Sequence, residues 1–328
     1  MSPAPPVVQA FGIGKDYGKL RAVDAVDIDV ESGQFFGFLG PNGAGKTTMI
    51  HMLTTLVSPT RGRAEVAGHD VVAEPLQVRK NIGLVFQETT LDGELSAEEN
   101  LQLAGKLYGL GRADLKARIE EVLALFELTE RRHDSVRTFS GGMRRQVDLA
   151  RGILHRPAVL FLDEPTLGLD PVNRARVWEF LERLADEEGM TLFLTTHYLE
   201  EAEPCDRVMI VDRGTVIAQG TPDELKRDLG GSESIELVMS DPDPRLLAEI
   251  AQRTGSEPRR TGSGVIVAVD SAESILPLLL PLIGERLKSL SVRKPTLEDV
   301  FVAATRPGGT TGGATGGTGE GAPAAVPS

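Results

Sequence analysis

Eight residues, Gly40-Pro41-Asn42-Gly43-Ala44-Gly45-Lys46-Thr47, separate two apolar runs and leave this chain few ways to fold. The run before them, residues 35–39, is short and continuous, as in a strand buried on both faces of a parallel sheet. The run after them, 49–56, continues as a helix. Strand, glycine-rich loop and helix form a phosphate cradle: the loop turns backbone N–H groups inward, and the helix start adds partial positive charge. In such a loop Lys46 reaches the β- and γ-phosphates, and the Thr47 hydroxyl is placed to ligate Mg²⁺. The fold class this dictates is α/β, with the loop at the carboxyl end of its strand.

The remaining chain is long enough for a sizeable core, with 328 residues of which 41% are hydrophobic. Its 35 Lys and Arg against 48 Asp and Glu leave a net charge of −13, so no nucleic-acid partner is expected. The single cysteine, Cys205, excludes an intrachain disulfide framework, fits a reducing compartment and reads as core filler. No signal peptide is visible in the first residues. The apolar stretch 275–283 is too short to span a bilayer and contains Pro277 and Pro281. A membrane-related role therefore needs another polypeptide to do the spanning.

Residues 1–6 read as a disordered lead. Strands are expected at 7–15 and 22–30, with Tyr17 in the turn between them, then at 63–66 and 71–72 and at 81–87, ending in Gln87. Near Leu95 the character changes. Ser96-Ala97-Glu98-Glu99 is a capping box, followed by helices to about 108 and over about 113–126. The all-helical insert spans about 92–157. A third helix begins after Phe139-Ser140-Gly141-Gly142 and runs through Leu154. Then come strand 159–162, helix 171–186, strand 191–195, helix 199–202, and strands 207–211 and 215–219. A second capping box, Thr221-Pro222-Asp223-Glu224, opens another helix. Gly230-Gly231 marks a boundary. Beyond it the periodicity reads strand, helix, weak strand, strand, helix, strand over 232–294, a βαββαβ order of ferredoxin-like type. An amphipathic helix closes at 296–304. Residues 306–328, rich in Gly, Thr, Ala and Pro, are expected to be disordered.

Two further groups carry chemistry. The apolar strand Val159-Leu160-Phe161-Leu162 ends in Asp163 and Glu164, at its carboxyl end, where open α/β sheets bind ligands. There Asp163 is placed to hold Mg²⁺ opposite Thr47, and Glu164 to deprotonate a water attacking a γ-phosphate. Ser140-Gly141-Gly142 at a helix start forms a second anion site. One triphosphate needs one cradle, so the second makes sense if it closes on a nucleotide held by another subunit.

In order, the glycine loop, Gln87, the SGG helix start, the apolar-Asp-Glu strand, Gly168-Leu169-Asp170 and His197 after a strand resemble the ATPase subunit of an ABC transporter. The resemblance covers about residues 7–225 and implies a P-loop NTPase core with a helical subdomain. It implies that two subunits sandwich two ATP molecules head to tail. Carried over by position, residues 40–47 with Thr48 hold the phosphates and Tyr17 stacks on adenine. Gln87 senses Mg²⁺ and couples to the membrane partner, Thr47 and Asp163 hold the metal, and Glu164 is the catalytic base. His197 contacts the γ-phosphate, while Ser140, Gly141 and Gly142 meet the partner's nucleotide and Asp170 lies at the seam. Met143 stands where the family signature usually has Gln. Within the family, FSGGMRRQ together with Thr296-Leu297-Glu298-Asp299-Val300-Phe301 resembles the daunorubicin/doxorubicin-resistance type of exporter ATPase. That implies a subunit on the cytoplasmic face of the membrane, working with separate transmembrane permease subunits to export a drug, antibiotic or lipid. The domain expectation is an ATPase domain over 7–230, an α+β accessory domain over 231–305 and the tail. Two other readings stay open: a soluble ATP switch not linked to transport, and the ATPase of an importer.

Overall fold

The computed structural model describes residues 6–229, 231–239, 243–262 and 264–305. The expected lead (apart from Pro6), the tail from 306 and Gly230 of the boundary pair lie outside the described residues.

In chain order the elements are β1 (Val8–Tyr17), β2 (Leu20–Val30), β3 (Phe35–Leu39), α1 (Lys46–Leu53), β4 (Arg61–Val66), β5 (His69–Asp70), α2 (Pro75–Asn81), β6 (Ile82–Val85), α3 (Ala97–Leu107), α4 (Arg112–Leu125), α5 (Gly141–Ile153), β7 (Val159–Asp163), α6 (Pro171–Asp186), β8 (Thr191–Thr196), β9 (Arg207–Asp212), β10 (Thr215–Gly220) and α7 (Pro222–Asp228). They are followed by β11 (Glu233–Met239), α8 (Pro244–Thr254), β12 (Arg259–Arg260), β13 (Gly264–Val269), α9 (Ala272–Ile283), β14 (Leu287–Arg293) and α10 (Leu297–Thr305).

The central sheet runs β10-β9-β3-β8-β7-β6. Its strands are parallel except β10, which returns antiparallel beside β9. The continuous apolar runs are explained by cover on both faces. Alternate residues of β3, β7 and β8 feed opposite cores. Phe35, Leu39, Leu160, Leu162, Leu192 and Leu194 face the helical side. Phe36, Phe38, Val159, Phe161 and Phe193 face α1 and the antiparallel sheet β2-β1-β4-β5. Phe193 is the hub of that second layer: its ring lies 5.2 Å from Phe36, 6.1 Å from Phe38 and 5.2 Å from Phe161. Phe193→Ala removes the hub and is expected to lower the unfolding free energy by about 3–5 kcal/mol, read from denaturant midpoints.

The helical insert forms where the capping box lies: the Ser96 hydroxyl accepts from Glu99 N–H at 3.2 Å, and Glu99 accepts from Ser96 N–H at 2.8 Å. Beyond the core, β12-β13-β11-β14 form an all-antiparallel sheet with its own apolar cluster under α8 and α9. Counted within that sheet the strand order is 2-3-1-4, which the βαββαβ sequence of elements produces. The closing α10 packs back against the helical side of the central sheet, with Leu297 and Val300 fully buried in that cluster.

Several local expectations need correction. The strand expected at 81–87 is Ile82–Val85, with Asn81 closing α2 and Gln87 in the loop beyond it. Tyr17 is the last residue of β1, paired with Leu20, and the turn is Gly18-Lys19. The short strand before α2 is His69–Asp70; Val71 and Val72 follow in a turn, whose N–H groups at 72 and 73 bond the Asp70 carboxylate. Helix α2 has no counterpart in the sequence reading: it is short and buries Val78 alone, too little periodicity to register. The expected helix at 199–202 is a 3₁₀ turn.

Candidate functional site

The glycine loop joins the end of β3 to α1 and is built around close backbone approaches. A Cβ on Gly40 would stand 2.2 Å from the Val211 carbonyl oxygen, and one on Gly45, at φ +101°, 2.3 Å from that of Ala22. Neither position accepts a side chain without moving a neighbouring strand. Lys46 opens α1 and is buried, 5% exposed. Its ammonium folds back over the loop, donating to Gly40 O at 2.9 Å and Pro41 O at 3.1 Å.

Asp163 and Glu164, at the end of β7, arrive beside it. Lys46 Nζ lies 3.1 Å from Glu164 Oε1, and the other carboxylate oxygen, Oε2, lies 2.8 Å from His197 Nδ1. Glu164 thus sits, buried, between an ammonium and an imidazole. The Thr47 hydroxyl donates to Asp163 Oδ1 at 3.3 Å. That same oxygen accepts from the Thr195 hydroxyl at 2.6 Å.

These groups line or floor a cleft of about 650 Å³. Its walls include Tyr17, Asn42, Gly43, Gly45, Lys46, Thr47, Thr48, Gln87, Glu164 and His197. The Thr47 hydroxyl, Asp163 carboxylate and Gln87 amide supply oxygen donors only. That donor set suits a hard divalent cation of the Mg²⁺ type and not a soft or imidazole-seeking metal. Tyr17 stands at the outer end of the cleft, half exposed, with Lys15 Nζ 5.3 Å from its ring centroid.

Ser140, Gly141, Gly142 and Asp170 are not in this cleft. Ser140 caps α5, accepting from Met143 N–H at 3.2 Å, and Gly141 is exposed. Asp170 caps α6, accepting from the N–H groups of Val172 and Asn173, which holds its carboxyl below the usual carboxylate range. The two helix starts adjoin: a Cβ on Gly142 would meet the Asn173 side chain.

Sequence reasoning missed several members. Arg21, Ala22, Leu167 and Arg213 also line the cleft. Arg213 comes from the β9–β10 turn, far along the chain and with no motif to mark it. Thr195 holds both Asp163 and the Glu164 N–H, the latter at 3.2 Å. Buried Glu201 accepts from Thr166 at 2.6 Å and Thr196 at 2.8 Å, fastening the segments that follow Glu164 and precede His197. Cys205 is a buried thiol in the core, as expected. Burial pushes it far above the ordinary thiol range.

A parallel sheet whose glycine loop, lysine and strand-end carboxylates converge in one cleft defines a phosphate-binding-loop nucleoside triphosphatase. The sequence match narrows the class. Residues 23–167 match the ABC transporter family model. The chain is 44% identical over 299 residues to the daunorubicin resistance ATP-binding protein DrrA3 of Streptomyces coeruleorubidus, covering 90% of this chain and 94% of the relative. It is 38% identical over 306 residues to the linearmycin resistance ATP-binding protein LnrL of Bacillus subtilis (strain 168), covering 91% and 98%. A dimeric ATP-binding cassette solved in a post-hydrolysis state with ADP and Pi superposes with a TM-score of 0.59 at 26% identity, over 65% of this chain and 98% of that one. The chain belongs to the ATP-binding subunits of ABC transporters, in the group of the daunorubicin/doxorubicin-resistance ATP-binding proteins. It is an ABC ATPase, homologous to the ATPases of drug-resistance exporters.

Proposed function

We propose that this subunit powers the export of a drug, antibiotic or lipid through separate membrane-spanning subunits, by ATP-driven closure and reopening of its own dimer. The observation that carries the reading is the division of the phosphate-binding parts. Lys46, Thr47, Asp163, Glu164 and His197 gather at one cleft, while Ser140–Gly142, at the start of another helix, lies outside its lining with Ser140 and Gly141 exposed. A second copy placed head to tail brings the helix start of one chain to the cleft of the other.

Within the cleft the proposed roles follow from the contacts. The β- and γ-phosphates lie in the loop of residues 40–48, against the N–H groups that open α1, and Tyr17 stacks on the adenine. The γ-phosphate takes the place of Glu164 as partner of Lys46, so the carboxylate is released from its ion pair. It stays within reach of His197, oriented to accept the proton of an attacking water. His197, holding Glu164 through Nδ1, turns its other edge toward the γ-phosphate. Mg²⁺, held by Thr47, Asp163 and Gln87, would neutralise charge developing on the phosphate oxygens. Asp170 stands at the dimer seam beside Ser140. Reopening after hydrolysis returns the carboxylate to Lys46.

The route to the membrane partner begins at Gln87. Next to it lies an apolar groove of about 350 Å³ lined by Leu56, Leu84, Phe86, Leu107 and Tyr108, where Leu107 is 81% exposed. Among the described residues no helix is long and apolar enough to cross a membrane. The exposed apolar side chains of this groove make it the proposed seat of a membrane subunit, at the cytoplasmic face. The names of relatives, which concern resistance to daunorubicin and linearmycin and export of Nod factor, support the outward direction.

The test is co-expression of the chain with the multispanning protein that co-purifies from solubilised membranes. ATP-dependent loss of preloaded daunorubicin from the cells supports the reading, and ribosomal components in place of a membrane protein contradict it. Base recognition has its own check. Tyr17→Ala is expected to weaken ATP binding about tenfold and Tyr17→Phe by less than about twofold, in equilibrium titration, since stacking uses the ring and not the hydroxyl. Equal losses in both would exclude stacking.

A further inference from the structure

The helix that starts at Ser140 also reaches back into the cleft of its own subunit. Arg145, on the second turn of α5, is buried, and among the described residues its guanidinium forms no ion pair. It spends its donors on backbone carbonyls instead. Nε donates to Pro165 O at 2.6 Å and Nη1 to Phe86 O at 2.5 Å, with a longer contact from Nη2 to Glu164 O at 3.4 Å. Those carbonyls belong to the two loops that present Glu164 and Gln87.

Glu164 needs such a restraint. Its φ is +46°, in the left-handed region that a side chain other than glycine seldom enters. Conformations of that kind persist where their surroundings over-determine them. On one side, the Glu164 N–H is held by Thr195, at 3.0 Å to its carbonyl and 3.2 Å to its hydroxyl. On the other side the Glu164 carbonyl accepts from the Leu167 N–H at 3.2 Å, and Arg145 ties that turn, through Pro165 O and Glu164 O, to the loop before Gln87. A planar fork with fixed donor directions can bridge two loops from one position, and a lysine ammonium reaches fewer of those carbonyls. Six residues further along α5, Arg151 donates to the Thr90 carbonyl at 3.1 Å, so the same helix grips the Gln87 loop at a second point.

We propose that Arg145 is a positioning residue that keeps the Glu164 carboxylate and the Gln87 loop in register with the Ser140 helix. Engagement of Ser140–Gly142 with a nucleotide on a second copy is thereby felt at Glu164 and Gln87 of the same chain, so each nucleotide site reports to the other. This inference rests on the dimeric reading above.

Single-turnover ATP hydrolysis and equilibrium ATP binding on the full chain test it, with Arg145→Lys alone and combined with Glu164→Gln. Arg145→Lys is expected to lower the hydrolysis rate at least about tenfold while ATP affinity stays within about twofold. In the Glu164→Gln background it is expected to cause no further loss, because it acts through that carboxylate. The rate should also lose any sigmoidal dependence on ATP concentration. Parallel loss of affinity and rate, an unchanged rate, or an equal further loss on top of Glu164→Gln overturns the proposal. If the lysine variant does not fold, Arg145→Gln, neutral and with an amide donor, replaces it under the same criteria. Parental turnover in Glu164→Gln itself would instead overturn the role given to Glu164, so the two failures are distinguishable.

Discussion

Glu164→Gln is expected to bind ATP at least as tightly as the parent and to hydrolyse it at least about a hundredfold more slowly, the scale of loss when a positioned general base is removed. The substitution is nearly isosteric. The amide keeps a contact to His197 Nδ1, now at 2.8 Å, and fits the same buried space beside Thr195. What it loses is the ability to take a proton. It also loses the negative charge 3.1 Å from Lys46, so a γ-phosphate no longer has to displace a carboxylate to reach the ammonium. Affinity therefore holds or rises as turnover falls. Isothermal titration and a phosphate-release assay on one preparation separate the two quantities, and parental turnover would exclude Glu164 as the base.

Lys46→Ala is expected to weaken ATP binding by about ten- to a hundredfold, the range for a lost charge-assisted hydrogen bond. It also strands a buried carboxylate. The Lys46 and Glu164 side chains are 4% and 9% exposed, and removing one partner of such a pair costs about 3–5 kcal/mol, the lower end here because His197 remains. The two effects separate in the double variant Lys46→Met/Glu164→Gln, which carries neither charge. It should recover most of the thermal stability and none of the ATP affinity. Recovery of affinity as well would place the phosphates elsewhere than under Lys46.

The parts of the site that the sequence made legible are those whose chemistry depends on neighbours in the chain. Gly40 through Thr47 form a local motif, and the close approaches at Gly40 and Gly45 make those glycines obligatory. Asp163 and Glu164 announced themselves by ending a buried strand. The capping boxes at Ser96 and Thr221 fixed two helix starts because both partners lie within one turn. Arg145, Thr195, Glu201 and Arg213 could not be found that way. Their partners are 19 to 59 residues distant for Arg145 and 32 for Thr195 with Asp163, contacts that exist only after the sheet has assembled. Helix α2 escaped because one buried valine makes no periodicity, and Tyr17 was placed in the turn because its strand continues two residues beyond the alternating pattern. The faint third strand of the accessory sheet, Arg259–Arg260, is two residues long and pairs only with β13.

The central claim is that the cleft around Lys46 is completed by Ser140–Gly142 of a second copy. Sedimentation velocity of Glu164→Gln, with and without Ser140→Arg, at saturating ATP tests it most directly. Ser140 lies outside the cleft of its own chain, so at protein concentrations too low for dimerisation ATP should bind the monomer of both proteins with equal affinity. The account predicts that ATP converts Glu164→Gln from monomer to dimer and leaves Ser140→Arg/Glu164→Gln monomeric. A double variant that dimerises with ATP as readily as Glu164→Gln would contradict it.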